Sequence, residues 1–261
     1  MKKVAIITGA ANGIGRRMTM DFIGAGYTVA AIDFDKEGLE KLAGRYEENE
    51  LACFFGDIGE KEVLESFDRW FRERFDRVDA LINNACKSRG GLKNCSYDDF
   101  NYVLRVGVTA QFYLTQLLTD MFAKGSSIVN ISSTRAMMSQ ANTESYTATK
   151  GAVTALTHAM AVTLSGKARV NAISPGWIDT GAYQKEESYE PEYADGDTLQ
   201  HPSGIVGEPS DISQLALYLC SDAAKFINGQ NIAVDGGMTK LMIYHADHGW
   251  TYDPKEDEQR L

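Results

Sequence analysis

Short runs of apolar residues alternate along this chain with longer segments in which apolar residues recur every three or four positions. The short runs favour buried strands, and the longer spacing is typical of helices that pack through one face. The predicted strands are residues 4–7, 28–32, 52–55, 78–82, 128–131 and 168–173, with a last strand and its turn in 231–237. This alternation predicts an α/β fold with a single doubly wound parallel sheet and helices on both faces.

A glycine-rich turn, TGAANGIG from Thr8 to Gly15, follows the first predicted strand and precedes a helical pattern. Glycines let the main chain approach a ligand closely, and the free N–H groups and dipole of a helix start attract phosphate. A strand, a turn and a helix in this order predict a dinucleotide site. The residues of the turn expected to bind the cofactor are Gly9, Asn12, Gly13, Ile14 and Gly15.

Asp33 ends the second predicted strand, at the distance from Gly15 that is typical of an acidic residue contacting the adenosine ribose. Its carboxylate would accept hydrogen bonds from the ribose hydroxyls and repel a 2′-phosphate. Phe34 supplies no compensating cation, although Arg16 and Arg17 leave NADP open. We therefore expect NAD as the cofactor, with NADP less favoured.

Tyr146 and Lys150 are four residues apart, so a helix would project both side chains from one face. A nearby ammonium favours the phenolate form of tyrosine, which can then exchange a proton with an alcohol. Ser133 follows the strand 128–131, at the edge where open α/β sheets bind ligands. Because this tyrosine–lysine spacing also occurs by chance in helices, the prediction depends on the surrounding motifs.

Taken together, these motifs resemble those of the short-chain dehydrogenase/reductase family. The resemblance covers nearly the whole chain, and its motifs occur in the family's order. They are the glycine turn, Asn83-Asn84-Ala85, Ser133, Tyr146-x-x-x-Lys150 and Pro175-Gly176.

The resemblance implies a Rossmann fold that forms one domain over residues 1–261. It also implies hydride transfer between a nicotinamide and the carbon of a secondary alcohol or ketone, in a homo-oligomer that we expect to be a tetramer. In the family the serine orients the substrate oxygen, the tyrosine is the general acid or base, and the lysine supports it while holding the nicotinamide ribose. These roles fall to Ser133, Tyr146 and Lys150, the first two also contacting substrate.

Further cofactor contacts follow from the same resemblance. Asp57 would accept a hydrogen bond from the adenine amino group, although it could also cap the helix predicted for residues 61–75. The Ile178 main chain would contact the carboxamide, and Thr180 the carboxamide or the pyrophosphate. The remaining residues assigned to the cofactor are Ile58, Asn84, Tyr146, Lys150, Pro175 and Gly176.

Gly107 is a departure from the family. It lies in a long helix predicted for residues 100–122, where members usually carry the asparagine of a catalytic tetrad. The tetrad is thereby reduced to a triad, but glycine tolerates distorted helix geometry and leaves room for water. In the family this position holds a water that relays protons to the lysine, and we expect that relay to be slowed or rewired here. The alternative is a catalytically weak protein that binds NAD in a regulatory or scaffolding role.

Two features bear on the substrate. The first is a set of cations near the predicted cleft, Lys87, Arg89, Lys93 and Arg135, which would either receive an anionic substrate or be solvated loop charges. The second is the polar segment 181–202, predicted to be a lid that shapes substrate choice. Its tyrosines would line the cleft or lie in a mobile solvated loop.

Composition excludes several partners. The net charge of -10 argues against nucleic acid and anionic membrane surfaces. No apolar stretch approaches the length of about 18 residues that spans a bilayer, and no signal peptide is evident, so we expect a cytoplasmic protein.

A C-terminal extension, residues 240–261, carries His245 and His248, which would pack at an oligomer interface. A metal site is not expected, because only two ligands are visible there.

Overall fold

The computed structural model describes residues 2–184 and 189–244. Its single sheet is parallel throughout, with the strand order β3-β2-β1-β4-β5-β6-β7. The strands are β1 (Val4–Thr8), β2 (Thr28–Asp33), β3 (Leu51–Phe55), β4 (Val78–Asn83), β5 (Phe122–Ile131), β6 (Ala168–Pro175) and β7 (Asn231–Val234). This topology confirms the predicted α/β fold class.

Helices connect the strands in sequence. They are α1 (Gly13–Gly24), α2 (Lys36–Ala43), α3 (Lys61–Arg72), α4 (Tyr97–Leu104), α5 (Ala110–Leu117), α6 (Glu144–Thr163), α7 (Asp195–Leu199) and α8 (Pro209–Leu219). A π-helical turn, Arg105–Thr109, joins α4 to α5. Short 3-10 turns occur at Thr134–Ala136, Gly181–Tyr183, Asp222–Ala224 and Met238–Lys240.

Two hydrophobic clusters cover the two faces of the sheet. Phe22 of α1 and Ile212 of α8 belong to one cluster, and Phe67 of α3 and Leu114 of α5 belong to the other. Since helices shield both faces, strands such as β1 and β4 are buried along their whole length. Among the described residues, no helix is both long and apolar enough to cross a bilayer.

The strand order reverses between β1 and β4, which defines the crevice where such sheets bind ligands. Thr8 lies at the carboxyl end of β1, and its Oγ1 accepts hydrogen bonds from the N–H groups of Asn84 and Ala85, each at 3.0 Å. Asn83 points elsewhere, because its buried side-chain amide donates to Asn130 Oδ1 at 2.8 Å. Thr8 therefore fixes the chain leaving β4 against the glycine turn.

The long helix predicted for residues 100–122 is wrong at its C-terminal end. The helix ends at Leu117, and Phe122 instead opens β5, where it is buried and pairs with Val78. The polar stretch that follows, with exposed Lys124 and Gly125 at φ +81°, hid this early start of the strand. The helix is also interrupted by the π turn, in which Gly107 lies.

Parts of two predicted segments lie outside the described residues. These are residues 185–188 of the predicted lid and residues 245–261 of the C-terminal extension, with His245 and His248.

Candidate active site

The glycine turn forms a cradle at the start of α1. Gly9 has φ +66°, and a Cβ on Gly15 would lie 1.9 Å from Gly9 O, so neither position accepts a larger residue without rearrangement. Asn84 Nδ2 donates to Thr8 O at 3.0 Å and to Gly9 O at 3.1 Å, which holds the turn in place. Asn12 Oδ1 is buried without a hydrogen-bond partner among the described residues. This cradle fits the phosphates of a dinucleotide.

Asp33 lies beside this cradle, in the wall of a cavity of about 360 Å³. Its carboxylate accepts hydrogen bonds from the N–H groups of Ala11 and Asp35, both at 2.9 Å. Burial raises the pKa of Asp33 despite these bonds. Other predicted cofactor residues in the same wall are Gly9, Asn12, Ile14, Asp57, Ile58, Asn84 and Thr180.

The Asp57 carboxylate contacts two other groups. Tyr102 Oη donates to Oδ2 at 2.6 Å, and the Gly59 N–H donates to Oδ1 at 2.9 Å. Burial, together with the hydrogen bond to Asp57, raises the pKa of Tyr102 to about 12, so the phenol remains a donor. The alternative role of Asp57 as a helix cap is wrong, because Glu60 occupies the N-cap position of α3. A carboxylate has further lone pairs, so Asp57 retains acceptor capacity.

Ser133, Tyr146 and Lys150 line a second cavity of about 770 Å³. Lys150 is 1% exposed, and its Nζ donates to Ile131 O at 2.7 Å and lies 5.3 Å from the centroid of the Tyr146 ring. Tyr146 lies in the first turn of α6, and Ser133 follows the last residue of β5. The structure therefore brings the three predicted catalytic residues to one cavity.

The two cavities adjoin. They share Ile14, Asn84 and Cys86 in their walls, and the larger one is also lined by Pro175, Gly176 and Ile178. Gly13 and Gly15 lie in the turn below, where Gly13 faces Thr180, whose Cβ would be 3.5 Å from a Cβ at that position. The predicted cofactor residues thus form one continuous crevice along the edge of the sheet.

Sequence and structure comparisons identify relatives over almost the whole chain. Residues 9–239 match the family model described as enoyl-(acyl carrier protein) reductase. An uncharacterised oxidoreductase of Thermotoga maritima is 37% identical and aligns over 93% of this chain and 98% of its own length. The chain belongs to the short-chain dehydrogenase/reductase family.

Solved structures agree with this assignment. An apo SCOR enzyme from Clostridium thermocellum is 39% identical, with a TM-score of 0.88 over 97% of this chain and 99% of that one. A 3-ketoacyl-(acyl-carrier-protein) reductase from Brucella melitensis, complexed with NADH, is 29% identical, with a TM-score of 0.81 over 91% of this chain and 98% of that one.

Gly107 has a defined environment within this short-chain dehydrogenase/reductase. It is buried in the π turn, and a Cβ at this position would lie 2.2 Å from Thr149 Cγ2. Thr149 is buried next to Lys150, and its Oγ1 donates to Ser145 O at 2.9 Å. The methyl group of Thr149 therefore fills the space that a side chain at position 107 would need.

The four cations predicted near the substrate cleft are dispersed. Lys87 Nζ lies 3.8 Å from the centroid of the Phe34 ring, at the smaller cavity. Arg89 pairs with Asp99 at 3.8 Å, and Lys93 is exposed. Arg135 alone among these four lines the larger cavity. The sequence could not separate them, because loop geometry decides where each side chain points.

Asp179 is a residue that the sequence did not single out. Its Oδ2 accepts hydrogen bonds from the hydroxyls of Tyr189, at 2.9 Å, and Tyr193. Tyr193 also packs edge-on against Trp177, which lines the larger cavity, with ring centroids 5.9 Å apart. Asp179 thus ties the predicted lid to the wall of the cavity. The sequence could have indicated Asp179 only by its position directly before Thr180, a predicted cofactor residue.

Proposed function

We propose that this chain is an NAD-dependent oxidoreductase that transfers a hydride between the nicotinamide and the carbon of a secondary alcohol or ketone. The observation that carries the proposal is the meeting of Ser133, Tyr146 and Lys150 in one cavity that adjoins the glycine cradle. The similarity to a 3-ketoacyl reductase complexed with NADH supports the same chemistry.

The substrate oxygen would lie between Ser133 and Tyr146. Ser133 Oγ accepts the Arg135 N–H at 3.1 Å, which leaves its own hydrogen free to donate to the substrate oxygen. Tyr146 would take the proton from an alcohol or return it to a ketone, with Lys150 Nζ 5.3 Å from the centroid of its ring. A nicotinamide bound in the crevice would accept the hydride from the alcohol carbon or donate it to the ketone carbon.

Residues along the crevice would hold this cofactor from end to end. Asp33 would accept hydrogen bonds from the adenosine ribose, Asp57 from the adenine amino group, and the glycine turn would bind the pyrophosphate. Lys150 would use its remaining N–H donors on the nicotinamide ribose, while Ile178 and Thr180 would fix the carboxamide.

The negative charge of Asp33 favours NAD over NADP. A 2′-phosphate would meet the buried carboxylate of Asp33, and like charges set together are unfavourable. The two arginines of α1 that follow the turn contact other groups, since Arg16 donates to the main-chain carbonyl of Gln184 at 3.0 Å and Arg17 to Asp21 at 2.8 Å. Lys87 is the cation at this cavity that NADP would depend on.

The test is nicotinamide absorbance measured over a panel of secondary alcohols and ketones, including hydroxysteroids, sugars and hydroxy acids. We expect turnover with NAD(H), lower kcat/KM with NADP(H), and a loss of at least about 100-fold in kcat for Tyr146→Phe, since general acid–base catalysis contributes that much. The matched control is Tyr113→Phe, because Tyr113 donates to Glu65 at 2.7 Å and lines neither cavity of the crevice.

Each outcome separates the two functions that the sequence left open. Turnover that disappears in Tyr146→Phe but persists in Tyr113→Phe supports the oxidoreductase. Tight NAD binding without turnover of any compound would instead support a regulatory NAD-binding protein, with Gly107 as the cause.

A further inference from the structure

Arg135 has an unusual position in the larger cavity. Its guanidinium lies 5.7 Å from the centroid of the Tyr146 ring and donates to the side-chain oxygen of Gln140. Its main-chain N–H holds Ser133 Oγ, so the guanidinium projects from the same wall as the residue that would bind the reacting oxygen. Among residues 2–184 and 189–244, no carboxylate forms an ion pair with it.

We propose that Arg135 is the anion-binding residue of this cavity and that the substrate is a short hydroxy or oxo acid. The inference rests on the proposed function of the same site and adds the substrate's second functional group. Guanidinium and carboxylate match in shape, because two parallel N–H donors can bind both carboxylate oxygens. With one N–H bonded to Gln140, the guanidinium retains donors for such a pair.

Proximity limits the length of the substrate. The guanidinium lies against the Tyr146 ring, and Lys150 Nζ is 5.3 Å from that ring centroid. A carboxylate bound at Arg135 would therefore lie near the Tyr146 side chain, which favours few bonds between it and the reacting carbon. A long or bulky substrate would need its charged group elsewhere in the cavity.

Besides Arg135, the described residues of the wall include two charged groups, Asp197 and Lys150. The Asp197 Oδ2 accepts the Ala194 N–H at 2.8 Å, which positions this carboxylate at the start of α7. The Lys150 ammonium adds positive charge to the same wall. The wall of the described cavity therefore carries two cations and one carboxylate, which favours an anionic ligand.

Binding is the measurement that tests the proposal, because it does not depend on turnover. Short oxo acids, from 2-oxobutanoate to 4-oxopentanoate, and their methyl esters are titrated calorimetrically into the protein with NAD⁺ and without it. No hydride is available to a ketone when the cofactor is oxidised. We expect wild type to bind at least one acid about tenfold or more tightly than its ester, and Arg135→Met to lower this ratio about tenfold or more, to near one.

Arg89→Met is the matched control. Arg89 lies 5.8 Å from the centroid of the Tyr102 ring, nearly the distance of Arg135 from Tyr146, but it is outside the larger cavity and pairs with Asp99. The acid-to-ester ratio should be unchanged in this variant.

The ratio also separates this inference from the proposed function. Equal binding of acids and esters by wild type, or an equal loss of both in Arg135→Met, overturns the anion site even if neutral alcohols are oxidised. Selective acid binding that depends on Arg135 supports the site even if the turnover panel gives no product, and in that case only the proposed hydride transfer fails.

Discussion

Gly107 and Thr149 are complementary in shape, and their contact joins the π turn to α6, the helix that carries Tyr146 and Lys150. Thr149 is the residue before Lys150 on α6, and it is fully buried. Its Cγ2 occupies the place of a missing Cβ on Gly107. Gly107, which we expect at the family's asparagine position, is therefore matched by a β-branched residue beside Lys150.

The pair predicts how the family's asparagine would behave here. Gly107→Asn should lower kcat about tenfold or more and destabilise the fold by about 1–3 kcal/mol, because the new Cβ would overlap Thr149 Cγ2 and displace α6. Adding Thr149→Ala removes the methyl group and should recover most of both losses. Steady-state kinetics and thermal denaturation of the single and double variants measure the coupling. Additive effects of the two substitutions would contradict the proposed complementarity.

At the scale of elements, Asp179 joins the segment that follows β6 to the predicted lid, residues 181–202. Burial acts to raise the pKa of Asp179, but hydrogen bonds from Tyr193, the Gly181 N–H and Tyr189 together hold it below its ordinary value. The ionised carboxylate is thus the form that holds the lid. Because the pKa is lowered in the folded state, this stabilisation is present at neutral pH and is lost as the pH falls through the lowered pKa.

Asp179→Asn should therefore loosen the lid at neutral pH. We expect a KM about three- to tenfold higher, since a carboxylate acceptor is replaced by a weaker amide one, and faster proteolysis within residues 181–202. The double variant Tyr189→Phe/Tyr193→Phe should reproduce both effects by removing the donors. If cleavage of the segment is as slow in these variants as in wild type, the hydrogen bonds to Asp179 do not control the lid.

Elements with a strong local pattern could be predicted from the sequence. The strands and the glycine turn follow from apolar periodicity, and the place of Ser133 follows from the edge at which parallel strands end. That Tyr146 and Lys150 act with Ser133 is what the family resemblance implied. The π turn and the early start of β5 at Phe122 could not, because side-chain packing and strand pairing override local propensity there. The separation of Lys87 from Arg135 likewise depends on loop geometry that no periodicity reports.

At the scale of the whole molecule, the helix layer that carries α3 exposes two apolar side chains, on α5 and α6. Val162 of α6 is 77% exposed and Phe112 of α5 is 49% exposed, and both helices pack on the face that also carries α3. Single exposed apolar residues are ordinary, but these two lie on neighbouring helices of one layer. We propose that this layer is a subunit interface of a homotetramer.

Val162→Asp should disrupt that assembly, because an interface would bury the introduced carboxylate without a partner. Light scattering after gel filtration should give the mass of four chains for wild type and a smaller species for the variant, with circular dichroism showing that the variant remains folded. The control is Phe55→Asp, since Phe55 is also exposed but ends β3, the strand at one edge of the sheet. A wild-type monomer, or the same loss in Phe55→Asp, would contradict the assignment. If assembly also positions the predicted lid, KM should rise in Val162→Asp as the protein is diluted.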